Sequence, residues 1–114
     1  MHKKNLSREE TDLKIGTIGF WVQKNELNWN NNEAVVLVNI IKSDGSLFIV
    51  KDSDNKLKCF HVILGKGRTD IETDVSAFDK NKAYMIVITW DTTESKKLSL
   101  YIDDKEVVSK NIVY

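Results

Sequence analysis

The sequence predicts an all-β antiparallel sandwich, and three observations carry that prediction. Several segments alternate apolar and polar residues with period two, most clearly Tyr84, Ile86, Ile88 and Trp90 against Met85, Val87 and Thr89. Such alternation sends successive side chains to opposite faces of a sheet. Turn signals separate these segments at intervals of about 8–12 residues, the spacing of sandwich and barrel strands. No stretch of useful length carries the 3.6-residue period of an amphipathic helix.

The elements follow in order. Ser7-Arg8-Glu9-Glu10 has the form of a helix capping box, although any helix there spans one or two turns. Residues 14–23 form the first strand, in which Ile15, Ile18, Phe20 and Val22 favour extended backbone. Residues 24–33 are a polar, asparagine-rich loop around an isolated Trp29. Residues 34–42 are so apolar that the strand is expected to be central or buried on both faces. Ser43-Asp-Gly-Ser46 is a turn, and strands at 47–51 and 57–64 flank a second turn, Asp52-Ser-Asp-Asn55. Gly65 and Gly67 mark another turn before residues 68–75, where charged and less polar residues alternate. Three consecutive strands then run from Lys82 to Val108. The organisation is an N-terminal extension, 1–13, and one sandwich domain, 14–114.

Composition excludes several function classes. The 114 residues, 41% hydrophobic and 30% charged, suit one globular domain. Lys+Arg and Asp+Glu number 17 each, so the formal net charge is zero and nothing draws the chain to nucleic acid. Cys59 is the single cysteine, which excludes an intrachain disulfide and a multi-cysteine zinc site and suits a reducing compartment. The basic residues near Met1 precede no apolar segment, and no apolar run approaches the about 20 residues that span a bilayer. The expectation is therefore no signal peptide and no membrane insertion, and a cytoplasmic location unless the chain is a piece of an exported protein.

Three segments carry a family likeness. Gly16-Thr-Ile-Gly-Phe-Trp-Val22, Ala83-Tyr-Met-Ile-Val-Ile-Thr-Trp-Asp91 and Leu98-Ser-Leu-Tyr-Ile-Asp-Asp-Lys-Glu-Val107 stand in an order that resembles the concanavalin A-like lectin/glucanase superfamily, in particular its laminin G-like jelly-roll branch. The last segment is similar to that branch's Leu-x-Leu-Tyr-Ile-Asp-Gly hairpin, with Asp104 in the place of glycine. Asparagine, aspartate and glycine tolerate the left-handed backbone of a two-residue turn, so the turn is expected to survive. The resemblance implies a jelly-roll fold and glycan as ligand. It also implies C-terminal strands beyond Tyr114, which leaves open a fragment, a minimal sandwich, or an edge covered by another subunit. The branch's calcium positions find no match here, and no cofactor or metal is expected. Exposed apolar edges such as Ile112-Val-Tyr114 predict a homo-oligomer through sheet edges.

Five groups are weighed as candidate sites. An exposed Trp29 would stack on a sugar ring while Asn28, Asn30 and Asn31 bond its hydroxyls; the plainer alternative is a tryptophan folded back as a plug. Asp70, Glu72 and Asp74 alternate along one strand face and join the candidate carbohydrate site. The glucanase branch uses such an alternation for retaining hydrolysis, which needs two carboxyls about 5–5.5 Å apart; the plainer alternative is a solvated face balanced by Arg68. Trp21 and Trp90 read as core or face-filling residues, and Cys59 with His61 as a buried thiol beside a half-exposed imidazole. Gly65-Lys-Gly67 is too short for a phosphate loop. The function expected is a non-catalytic binding module for glycans, with a structural or assembly domain and a glycoside hydrolase fragment as alternatives.

Overall fold

The computed structural model describes residues 12–114, and the Ser7–Glu10 capping box lies outside them. Among the described residues eight antiparallel strands are present: β1 (Ile15–Val22), β2 (Val35–Lys42), β3 (Gly45–Lys51), β4 (Lys56–Ile63), β5 (Gly67–Asp74), β6 (Tyr84–Asp91), β7 (Lys97–Ile102) and β8 (Lys105–Asn111). They form two four-stranded sheets, ordered β1-β6-β7-β8 and β2-β3-β4-β5. The fold is an antiparallel β-sandwich, as the alternation predicts.

The core is the set of inward positions of that alternation. Ile18, Phe20 and Val22 from β1 meet Ile86, Ile88 and Trp90 of β6 and Leu98, Leu100 and Ile102 of β7. Opposite them stand Leu37, Ile40, Leu47, Ile49, Leu57, Cys59 and Ile71 of the second sheet. Trp90 fills the space above Gly16, where an added Cβ would sit 2.6 Å from its ring. A close approach, rather than a turn, therefore requires that glycine.

Two strands depart from expectation. β2 is an edge strand, not a central one. A bulge between Val36 and Val38 interrupts its pairing with β3, and Val36 and Ile41 face solvent. Its continuous apolar run comes from one buried face, the bulge and an exposed rim. Trp21 points outward from β1 and is 50% exposed, whereas Trp90 is a core residue.

The hairpins obey turn chemistry. Ile102 pairs with Lys105 around Asp103-Asp104, which take φ of 51° and 67°. Both central residues are left-handed, as a type I′ turn demands, and Asp104 supplies without glycine what the resembling hairpin uses glycine for. Asp91 organises the β6–β7 loop: its carboxylate accepts from the N–H groups of Glu94 and Thr93 and from the Thr93 hydroxyl, which hold it at about 2.

Both ends of the described chain are tied into the sandwich. Leu13, placed by the sequence in an extension, is buried in the core. The Trp90 indole N–H donates to the Asp12 carbonyl (2.8 Å), and His61 Nε2 to the Leu13 carbonyl (2.7 Å). His61 is fully buried, not half-exposed, because residues 12–13 and Tyr114 cover it. The Tyr114 hydroxyl donates to the His61 carbonyl (2.7 Å), and its ring stacks on the imidazole (5.8 Å between centroids, 8°). Ile112 is buried as well. The expected sticky edge at Ile112-Val-Tyr114 is thus a clasp: the chain crosses from β8 toward β5, and only Val113 remains fully outward.

Two outcomes follow from this packing. A Cβ at Gly45 would overlap the Val62 carbonyl oxygen. Gly45→Ala is expected to lower unfolding free energy by roughly 1–3 kcal/mol, as overpacking does, in urea titrations. Burial pulls the His61 imidazole below its ordinary value of 6.5. Below that value the unfolded chain binds more protons than the folded one, so stability falls on acidification. Unfolding free energy from urea titrations should fall as the pH drops below about 6.5, with a slope of up to about 1.4 kcal/mol per pH unit from this group, and His61→Asn should flatten that slope.

Candidate functional site

The β1–β2 loop and the β5–β6 loop meet at one end of the sandwich. The Asn25 N–H donates to the Lys80 carbonyl across them (2.6 Å). Beneath lies an aromatic cluster: Trp29 sits 5.1 Å from Phe78 and 5.5 Å edge-on from Tyr84, while Phe78 stacks on Tyr84 at 4.4 Å. Trp29 is 1% exposed. It is the plug of the sandwich end, and the reading of an exposed indole platform is corrected: an apolar end of the sandwich needs covering, and the tryptophan supplies that cover.

The asparagines around it divide by task. Asn25 and Asn32 take φ of 64° and 60°, a backbone that asparagine tolerates better than most residues. Asn32 and Asn55 exchange two hydrogen bonds, N–H to Oδ1 at 2.9 Å and Nδ2 to Oδ1 at 2.6 Å, and so join the loop to the β3–β4 turn. Asn31 Oδ1 accepts from Lys51 Nζ at 2.8 Å. Lys51 is wholly buried; desolvation lowers its pKa, and the charges of Glu33 and Asp52 oppose that shift. Asn31 therefore serves a buried ammonium, and it is not among the residues that line the groove described next.

Asn28 and Asn30 do line an opening. An open groove of about 270 Å³ runs over the plug, walled by Asn28, Asn30, Phe78, Asp79, Lys80 and Asn81. Its rim is shaped by short-range turns: Asn28 Oδ1 accepts from the Asn30 N–H (3.1 Å) and Asp79 Oδ1 from the Asn81 N–H (2.8 Å). The Tyr84 hydroxyl accepts from the Asp79 N–H at 2.9 Å, which fixes the second wall to the cluster. The sequence pointed to the first wall by its clustered amides. It did not point to Phe78–Asn81, which lie some fifty residues away and whose closest signal is the polar run Asp79-Lys-Asn81.

The acidic trio is elsewhere. Asp70, Glu72 and Asp74 share the outer face of β5, as predicted, but none of them lines the groove. Arg68 grips Asp70 bidentately (2.7 and 2.6 Å), and Lys56 pairs with Glu72 at 2.9 Å. Asp74 accepts from the Ser76 N–H, and its bonds to Ser76 hold its carboxyl below the usual range. These are open, charge-balanced carboxylates on a sheet face, and their place in the candidate carbohydrate site is withdrawn. Among the described residues no cluster of three His, Cys, Asp or Glu side chains is arranged to hold a metal ion. Burial pushes the Cys59 thiol far above its ordinary value, away from the thiolate that nucleophilic chemistry needs.

A second groove, of about 450 Å³, opens at the opposite end between Lys14, Asp44, Ile63, Leu64, Lys66, Thr92, Thr93 and Tyr114. Its hydroxyl protons are already committed: Thr92 donates to the Lys14 carbonyl and Thr93 to Asp91.

The molecule is thus a two-sheet β-sandwich with a polar groove built from loops at one end. The chain matches no family model and no curated protein. Solved structures do share its fold. The receptor binding domain of botulinum neurotoxin D superposes with a TM-score of 0.66 at 15% identity over 84% of this chain. A mutant of HCR/D gives 0.67 at 14% over 90%, and the botulinum neurotoxin serotype D binding domain 0.63 at 12% over 90%. This chain spans 24–27% of their lengths, about a quarter.

Because Trp29 is the plug, Trp29→Ala is expected to cost about 3–5 kcal/mol of stability in chemical denaturation. Any binding lost with that variant would report unfolding rather than chemistry.

Proposed function

We propose that the chain is a non-catalytic binding module whose loop groove takes a small glycan unit. The observation that carries this reading is the groove's composition. Three asparagines, Asn28, Asn30 and Asn81, line it together with Asp79, Lys80 and the half-buried Phe78. Amides and a carboxylate offer the paired donors and acceptors that sugar hydroxyls need. Phe78, in the lining and stacked on Tyr84 from one side, offers apolar surface for sugar C–H groups. The volume lies just under the about 300–1,000 Å³ of sites for drug-sized ligands, which suits one compact polar unit. The resemblance of the β1, β6 and β7–β8 segments to the laminin G-like branch favours the same ligand class. The likeness to neurotoxin binding domains supports a binding role in general.

The test is a glycan array followed by nuclear magnetic resonance titration of the strongest ligand. Chemical shift changes should centre on Asn28, Phe78 and Asn81. Asn28→Ala and Asn81→Ala should each weaken binding about tenfold, the worth of one lost hydrogen bond, with melting temperature nearly unchanged for Asn81→Ala. Binding that survives both substitutions, or no glycan bound at all, would remove this reading.

A further inference from the structure

We propose that the open edge of β1 is a self-association surface, on which a second copy of this chain adds its own β1 antiparallel across a two-fold axis. This goes beyond the groove and does not rest on it.

Among the described residues the sandwich has four edge strands, and three of them are blunted. β5 carries Asp70, Glu72 and Asp74 outward, so two copies side by side would set carboxylate against carboxylate. β8 carries Lys105, Glu106 and Lys110 and is kinked by a register shift opposite Leu100 and Tyr101. β2 has its bulge between Val36 and Val38. Charges and bulges are the devices by which edges avoid pairing.

β1 has none of them. From Ile15 to Val22 it holds no charged residue, and all eight residues pair in unbroken register with β6, from Ile15↔Asp91 to Val22↔Tyr84. Among the described residues nothing pairs with its other side. That leaves about 26 Å of straight ladder whose outward N–H and C=O groups invite another strand.

The side chains of β1 complement their own image. An antiparallel copy centred on Ile18 puts Ile15 opposite the second copy's Trp21 and Thr17 opposite its Gly19. Ile15 and Trp21 are 51% and 50% exposed on the outer face, and each would cover the other twice in the dimer. Between them Thr17 and Gly19 are small enough for the tryptophan to lie along the seam. No like charges oppose each other, and the chain's zero net charge adds no long-range repulsion. The contact is isologous, so it closes at two copies and gives one continuous eight-stranded sheet, β8-β7-β6-β1 and its image.

Light scattering and sedimentation velocity on the full chain, from low to high micromolar protein, test this. The expected result is a shift from 13.1 kDa to twice that mass. Thr17→Lys, an exposed outer-face change in the middle of the seam, should return the monomer while circular dichroism stays native. Lys110→Thr on β8 should leave the dimer intact. The double variant Ile15→Cys, Trp21→Cys should oxidise to a covalent dimer in this register, and buried Cys59 does not compete for the bond. A monomer throughout the range, a dimer that persists in Thr17→Lys, or a double variant that does not cross-link as a native dimer would each overturn the proposal.

Discussion

The arrangement depends most on a buried imidazole between the two ends of the described chain. His61 lies at the centre of the second sheet and sends Nε2–H to the Leu13 carbonyl, while Tyr114 covers its other side and bonds its carbonyl. A carbonyl only accepts, so Nε2 must carry the proton and the ring is held as one tautomer. Trp90 does the same work from the first sheet by its bond to Asp12. The two sheets are therefore linked both by apolar contact and by polar groups that fix where the chain enters and leaves. Burying these groups without partners would cost free energy, and among the described residues no buried side-chain nitrogen or oxygen lacks one.

The asparagine-rich loop solves a related problem at the far end. A long connection between the two sheets must cover an apolar opening while satisfying its own backbone. Asparagine suits both needs, because its amide bonds neighbouring backbone and it enters left-handed conformations at low cost. One side of the loop is spent on Asn55 and the buried Lys51, and the other is left facing the groove. The candidate site is thus the part of a structural loop that the structure does not use.

The fold was legible because period-two patterning and turn chemistry act locally. Ile86, Ile88 and Trp90 are inward because Met85, Val87 and Thr89 are outward, and Asp103-Asp104 turns because both residues tolerate positive φ. What was illegible needs partners remote in sequence. The central placement expected of β2 failed because a bulge and an edge position look, in sequence, like a buried run. Trp29 read as exposed because its polar neighbours say nothing of Phe78 and Tyr84. The end Ile112-Val-Tyr114 reads as an open edge because its seat, against His61 of β4 and above Gly67 of β5, comes from strands some fifty residues earlier. Half of the groove was visible as clustered amides, and the other half comes from a second loop that only the topology brings near.

Cys59 gives this molecule a clock. The thiol is the chain's one cysteine, sealed between β3 and β5 in the middle of the second sheet and held in its unreactive protonated form by burial. A thiol reagent can reach it only when the core around it opens. The rate of its modification therefore counts opening events of the core in the unaltered protein, with no label to add and no second thiol to confuse the reading.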